Sequence, residues 1–158
     1  MERAEELIVR YGLFPHPEGG AYREVYAAEA QTEGRALSGS IYYLLRGGER
    51  SRLHRIDCEE VWYFHEGCGM LLTVLLPDGC VRRERLGGDA SDGQRFMVAV
   101  PAHAVFAAEN LNPEGYTFVS CMTSPRFRYE GFELVKRAEL ERICPAHADS
   151  LSYLAFDG

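Results

Sequence analysis

The sequence has no apolar run approaching the ~18 residues of a membrane-spanning helix. Its longest, Met70 to Leu76, has the length of a strand. The opening Met-Glu-Arg-Ala-Glu-Glu offers no apolar stretch of the kind a secretory signal requires. Cysteine is sparse and unpatterned: five residues at 58, 68, 80, 121 and 144, an odd number without any C-x-x-C. That excludes a disulfide framework or a zinc knuckle and suits idle, buried thiols in a reducing compartment. Positive charge is also short, with 17 Lys and Arg against 24 Asp and Glu and a net charge of −7. Such a surface offers no footprint for phosphate backbones or anionic lipid. The expectation is a cytoplasmic protein without nucleic-acid or membrane partners. No internal repeat, low-complexity tract or linker interrupts the 158 residues, which fit one domain.

What is present is an ordinary globular composition, 46% hydrophobic and 26% charged, sufficient for a core without staples. Residues 2–11 place Ala4, Leu7, Ile8 and Tyr11 on one helical face, with Gly12 positioned to end the helix. The segment Phe14-Pro15-His16-Pro17-Glu18-Gly19-Gly20 cannot be helical and reads as a shaped loop. Short β-rich runs follow: Ser40–Leu45, Glu60–His65, Met70–Leu76, Val81–Leu86, Phe96–Val100, Val105–Ala108 and Thr117–Thr123. Glycine, proline and aspartate punctuate them, a spacing that favours an all-β sandwich or barrel over βαβ units. Helical pattern returns over 136–144 and 146–156 around Pro145. The expected organisation is a single domain over 1–158, with a barrel over about 20–134 and helical ends at 2–11 and 136–156.

Between Gly48 and Gly67 the chain carries Gly48, His54, Glu60 and Gly67 at the spacing G-x5-H-x-H-x3-E-x6-G, with Ile56 at the second histidine. A second pattern, P-x-G-x2-H-x3-N, can be laid on Pro101 to Asn110. There His103 replaces the glycine and Phe106 the histidine. Both resemble the paired motifs of the cupins. Flanking phrases extend the likeness over nearly the whole chain. They include Pro15-His16-Pro17-Glu18-Gly19-Gly20, Ser40-Ile41-Tyr42-Tyr43-Leu44-Leu45, Glu60-Val61-Trp62 and Ser124-Pro125-Arg126-Phe127. They resemble the branch of small stand-alone cupins that share a Pro-His-Pro-Glu-Gly-Gly opening. Arg126 departs from that branch's glycine, and Phe106 from its frequent tryptophan. The resemblance implies an all-β, jelly-roll barrel, commonly homodimeric, with a pocket in the barrel mouth.

A cupin metal site assembles three imidazoles and a carboxylate. Here only His54 and Glu60 match, since Ile56 and Phe106 have no lone pairs to offer. Two protein ligands seldom hold a divalent ion. The expectation is therefore no metal cofactor; a divalent ion on His54, Glu60 and His103 is the alternative. The substitutions make the pocket more apolar. Strand alternation puts Glu60, Trp62 and Phe64 on one face, so Trp62 and Phe64 are expected to line the cavity, with Phe106 opposite. His16 in the opening loop either leans over the pocket or fixes the loop. Arg23 either clamps a ligand carboxylate or balances Glu60.

The local context of Leu53-His54 also resembles, more distantly, the dTDP-4-dehydrorhamnose 3,5-epimerases, metal-free members of the same barrel class. That likeness implies His54 as a base and a tyrosine as the acid. Tyr43 is the first candidate, with Tyr63, Tyr116 and Tyr129 left open. Three readings follow. The first is a metal-independent isomerase or epimerase on a small carbonyl or sugar-like compound, with Glu60 orienting or tuning His54. The others are a non-catalytic binder of a small organic ligand, and a divergent metal-dependent oxygenase or decarboxylase.

Overall fold

Strand-forming runs separated by tight turns pair into two antiparallel sheets. The computed structural model describes residues 2–157. Its strands are β1 (Phe14–Pro15), β2 (Ala21–Ala27), β3 (Gln31–Thr32), β4 (Arg35–Ala36), β5 (Gly39–Arg46), β6 (Arg50–Arg55) and β7 (Glu59–Gly67). They continue with β8 (Met70–Leu75), β9 (Val81–Leu86), β10 (Met97–Val100), β11 (Val105–Asn110), β12 (Tyr116–Ser124) and β13 (Glu133–Leu134). One sheet runs β1-β2-β5-β12-β7-β10 and the other β13-β6-β11-β8-β9; β3 and β4 form a small hairpin apart. The two larger sheets pack as a jelly-roll-like sandwich, the all-β class expected. Among the described residues no helix is long and apolar enough to cross a membrane.

The space between the sheets is filled by a core of alternate side chains from both: Tyr43 and Leu45 on β5, Trp62 on β7, Leu72 and Val74 on β8, Phe106 on β11 and Val119 on β12. Trp62 and Phe106 are 1% and 0% exposed. Burying an aromatic of this kind contributes about 2–3 kcal/mol. Part of that gain is offset at Trp62, whose indole N–H has no hydrogen-bond partner among the described residues.

Helices cover both outer faces. α1 (Arg3–Tyr11) lays Ala4 and Leu7 against Leu44 and Phe118 of the six-stranded sheet. On the five-stranded sheet, α2 (Arg137–Ile143) and α3 (Ala148–Leu151) cover Leu53, Val105 and Ala107. The 146–156 segment, expected as one helix, is instead a four-residue helix between 3-10 turns. That broken path lays Ala148, Leu151, Leu154 and Ala155 onto the same apolar face. Strand β6 had no clear alternation in the sequence for a related reason. Leu53 faces the C-terminal helices while the neighbouring His54 faces inward, so both are buried.

Gly67 pairs with Thr117 at the end of β7, just past the register shift at His65, and has φ of 111°. A Cβ there would lie 2.1 Å from the Tyr116 carbonyl oxygen, so a side chain is excluded at the end of β7.

Candidate functional site

The loop between β1 and β2 is forced into the sandwich by its glycines. Gly19 has φ of 112°, and a Cβ on it would lie 1.9 Å from the Arg50 carbonyl oxygen of β6. With that close approach, Arg52 N–H donates to the Glu18 carbonyl at 2.9 Å and the Tyr43 hydroxyl to the Gly19 carbonyl at 2.5 Å. The Glu18 side chain is thereby driven inward. Its Oε1 accepts from Ser51 Oγ at 2.8 Å, and its Oε2 lies 3.0 Å from Nε2 of His54.

His54 is committed at both ring nitrogens. Nδ1 lies 2.7 Å from the Arg52 carbonyl oxygen, which can only accept, so Nδ1 carries a proton. Burial works against charge on His54, but the Glu18 carboxylate and its hydrogen bond, with the Glu60 charge, outweigh it and raise the imidazole pKa. Burial likewise works to raise Glu18, but His54 overcomes it and holds the carboxyl below its ordinary value. The two form a buried ion pair. His16, on the same loop, accepts the Glu18 backbone N–H at Nδ1 over 3.1 Å. Burial lowers its pKa and keeps it neutral, which leaves the ring hydrogen on Nε2.

These groups border a cavity of about 320 Å³ between the sheets. Glu60 enters from β7, Cys121 and Thr123 from β12, and Ile41 from β5. Glu60 is 7% exposed and makes no ion pair among the described residues. Burial pushes its carboxyl up to about 7, against the opposing pull of His54. Aromatic walls come from Phe14, Tyr22, Phe127 and Phe132. At the rim the Tyr22 and Tyr129 hydroxyls lie 2.6 Å apart, Arg126 forks onto Glu24, and Arg128 reaches Asp57 at 3.1 Å.

The sequence-predicted residues divide. His54, Glu60 and His16 come together at the cavity. Trp62 and Phe64 do share the inward face with Glu60, but they lie further along β7: Trp62 is in the main core, half-buried Phe64 packs against it, and neither lines the cavity. Phe106 also belongs to that core, its ring centroid 4.2 Å from that of His54, where it supports the imidazole. Tyr43 is buried beside them, its hydroxyl spent on the Gly19 carbonyl, and it is not a cavity residue. Arg23 faces the opposite way from its strand neighbours Tyr22 and Glu24. It donates to the Tyr11 carbonyl at 3.4 Å, so it neither clamps a ligand in this cavity nor balances Glu60. His103 takes a left-handed turn conformation, φ 66°, and lines a separate cleft beside Pro101 and Ile143.

Among the cavity residues that escaped the sequence are Glu18, Tyr22, Thr123 and Arg128. The His16–Glu18 spacing in a loop rich in glycine was the available signal for the first. The donor set does not fit a cupin metal. His54 has no free lone pair, Ile56 and Phe106 supply none, and His103 lies elsewhere. No group of three or more His, Cys, Asp or Glu among the described residues is arranged to hold an ion.

The family described as Cupin superfamily (DUF985) matches residues 5–135. A protein of Shewanella oneidensis superposes with a TM-score of 0.93 at 34% identity, covering 100% of both chains. A hypothetical protein from Leishmania major gives 0.91 at 31% identity, over 99% of this chain and 100% of its own. Oxalate decarboxylase from Bacillus subtilis shares the fold at a TM-score of 0.59 and 16% identity, over 89% of this chain and 36% of its own. Among curated proteins none matches significantly. The match over most of the length and the two whole-chain relatives agree with the sandwich and its motif residues, and the chain belongs to the cupin superfamily, in the family DUF985.

Proposed function

We propose that the cavity carries out metal-independent proton transfer on a small, sugar-like carbonyl compound, as an isomerase or epimerase does. One observation supports this above the others: Glu60 is a buried carboxyl with no ion-pair partner among the described residues, its pKa pushed up to about 7, beside the His54–Glu18 pair. A general acid–base works best when its pKa lies near the operating pH. The roles differ from those the sequence suggested. With both nitrogens engaged, His54 is not the base; Glu60 is.

The ionised Glu60 takes the proton from the carbon next to the substrate carbonyl, and the bonding pair moves onto the carbonyl oxygen. The Nε2–H of His16 donates to the enolate oxygen and stabilises it. Glu60 then returns the proton to the same carbon or its neighbour. Aromatic walls suit the apolar face of a ring, and they keep water from the enolate.

The test is solvent exchange. The protein is incubated in deuterium oxide with a panel of small ketoses and 2-oxo acids, and carbon-bound hydrogen is followed by proton NMR. Deuterium entry next to the carbonyl is expected, slowed about a hundredfold or more by Glu60→Gln. A compound that binds without exchanging under any condition would make the chain a non-catalytic ligand-binding cupin.

A further inference from the structure

At the cavity rim the charges do not balance one to one. Arg126 has Glu24 to itself, with Nε to Oε2 at 2.9 Å and Nη2 to Oε1 at 2.5 Å. Asp57, by contrast, serves two guanidinium groups. Arg35 takes it in a fork, Nη2 to Oδ1 at 2.8 Å and Nη1 to Oδ2 at 3.1 Å, with only 16% of its side chain exposed. Arg128 adds a second guanidinium to the same Oδ2, at 3.2 Å from Nε and 3.1 Å from Nη2. The carboxylate is already satisfied by the more buried arginine, so Arg128 is a surplus cation. It lines the cavity, and its Nη1 makes no hydrogen bond among the described residues. Close by in the rim, the hydroxyls of Tyr22 and Tyr129 bond to each other. Such a pair uses only one of its two hydrogens, so one O–H still points to no acceptor among the described residues.

A guanidinium with a free N–H edge, together with a spare hydroxyl, is a donor set for oxyanions. Inside the cavity Glu18 is cancelled by His54, and Glu60 has no ion-pair partner to share among the described residues. A second anionic group on the ligand would therefore find no partner. We infer that the substrate of this site carries a single anionic group, a carboxylate or a phosphate monoester, held at the rim by Arg128 and the Tyr22–Tyr129 hydroxyl pair. The inference rests on the proton-transfer site proposed above and specifies its substrate class. It also excludes a nucleoside diphosphate, whose two phosphates need clustered free arginines.

Three probes of one frame separate the possibilities: hydroxyacetone, pyruvate and dihydroxyacetone phosphate, which are neutral, carboxylate and phosphate. Each is titrated into the full chain at low and raised sodium chloride, with binding followed by protein NMR shifts. At least one anion is expected to bind more tightly than hydroxyacetone and to weaken with salt. Which anion binds more tightly distinguishes carboxylate from phosphate. Arg128→Gln should weaken that anion about tenfold or more and leave hydroxyacetone unchanged. Arg128→Lys should recover part of the loss, as a point charge without the fork. Arg128 is exposed and Arg35 still holds Asp57, so the variants keep the fold. Hydroxyacetone binding as tightly as both anions, failure of both anions to bind, or unchanged anion affinity in Arg128→Gln overturns the inference. Anion binding without deuterium exchange retains it and removes the proton-transfer reading. Exchange on pyruvate or dihydroxyacetone phosphate whose concentration dependence ignores Arg128→Gln does the reverse.

Discussion

Nε2 of His54 lies 3.0 Å from Oε2 of Glu18, with only 3% and 7% of the two side chains exposed. Each group depends on the other to stay ionised. His54 is raised from 6.5 and Glu18 lowered from 4.5. A raised histidine stabilises the fold below its unfolded value and loses that contribution as pH climbs through its folded value. A lowered carboxyl stabilises above its unfolded value and loses the contribution as pH falls. Their joint contribution is therefore greatest between about 4.5 and 6.5.

Glu18→Gln should leave His54 in a buried site without its counter-ion. Burial then dominates, and the His54 pKa is expected to drop below its ordinary value, as read by histidine NMR titration. Stability should fall by about 3 kcal/mol inside that window. A His54 pKa that stays raised in this variant would show that another group holds the charge.

Glu60 gives a pH slope of opposite sign from that of an ordinary salt-bridged carboxylate. Its folded pKa near 7 exceeds the unfolded value of 4.5, so the folded chain binds more protons between them. Stability should decline as pH rises through this window, by about 3 kcal/mol in total. Glu60→Gln should remove that part of the slope in urea unfolding measured from pH 5 to 8. An unchanged slope would mean that Glu60 is ionised throughout.

Tyr43→Phe separates a loop anchor from a catalytic acid. Loss of the hydroxyl strands the Gly19 carbonyl, at a cost of about 1–2 kcal/mol in denaturant unfolding. Deuterium exchange in the remaining folded protein should keep its rate and pH profile. A large fall in rate with stability intact would restore Tyr43 as the acid.

The spacing of one motif singled out His54, Glu60 and the closing Gly67, and the structure sets the backbone at these positions by strand pairing and a steric limit, with β7 running two residues past the expected His65. Alternation on β7 correctly grouped Trp62 and Phe64 with Glu60. Periodicity gives the side a residue faces but not how far along the strand a cavity extends, and these two lie beyond its lining. Arg23 was misplaced because the turn before Ala21 sets the parity of β2, and that parity sends Tyr22 and Glu24 inward instead. Glu18 has no periodicity at all. Its direction depends on Gly19 packing against the Arg50 carbonyl, a contact with a distant strand. Arg128 is a surplus cation only because Arg35, 93 residues earlier, holds the same carboxylate, a pairing that no local pattern encodes.

The loop bearing Glu18 belongs to the edge of the six-stranded sheet, and the strand bearing His54 to the five-stranded sheet. Neither partner can be buried until the two sheets have closed on each other. Such non-local closure carries a large chain-entropy cost and comes late in the folding of β-sandwiches. The His54 ring therefore doubles as a reporter of folding order: its raised pKa should appear in refolding experiments with the final docking of the sheets, after strand hairpins within each sheet have formed.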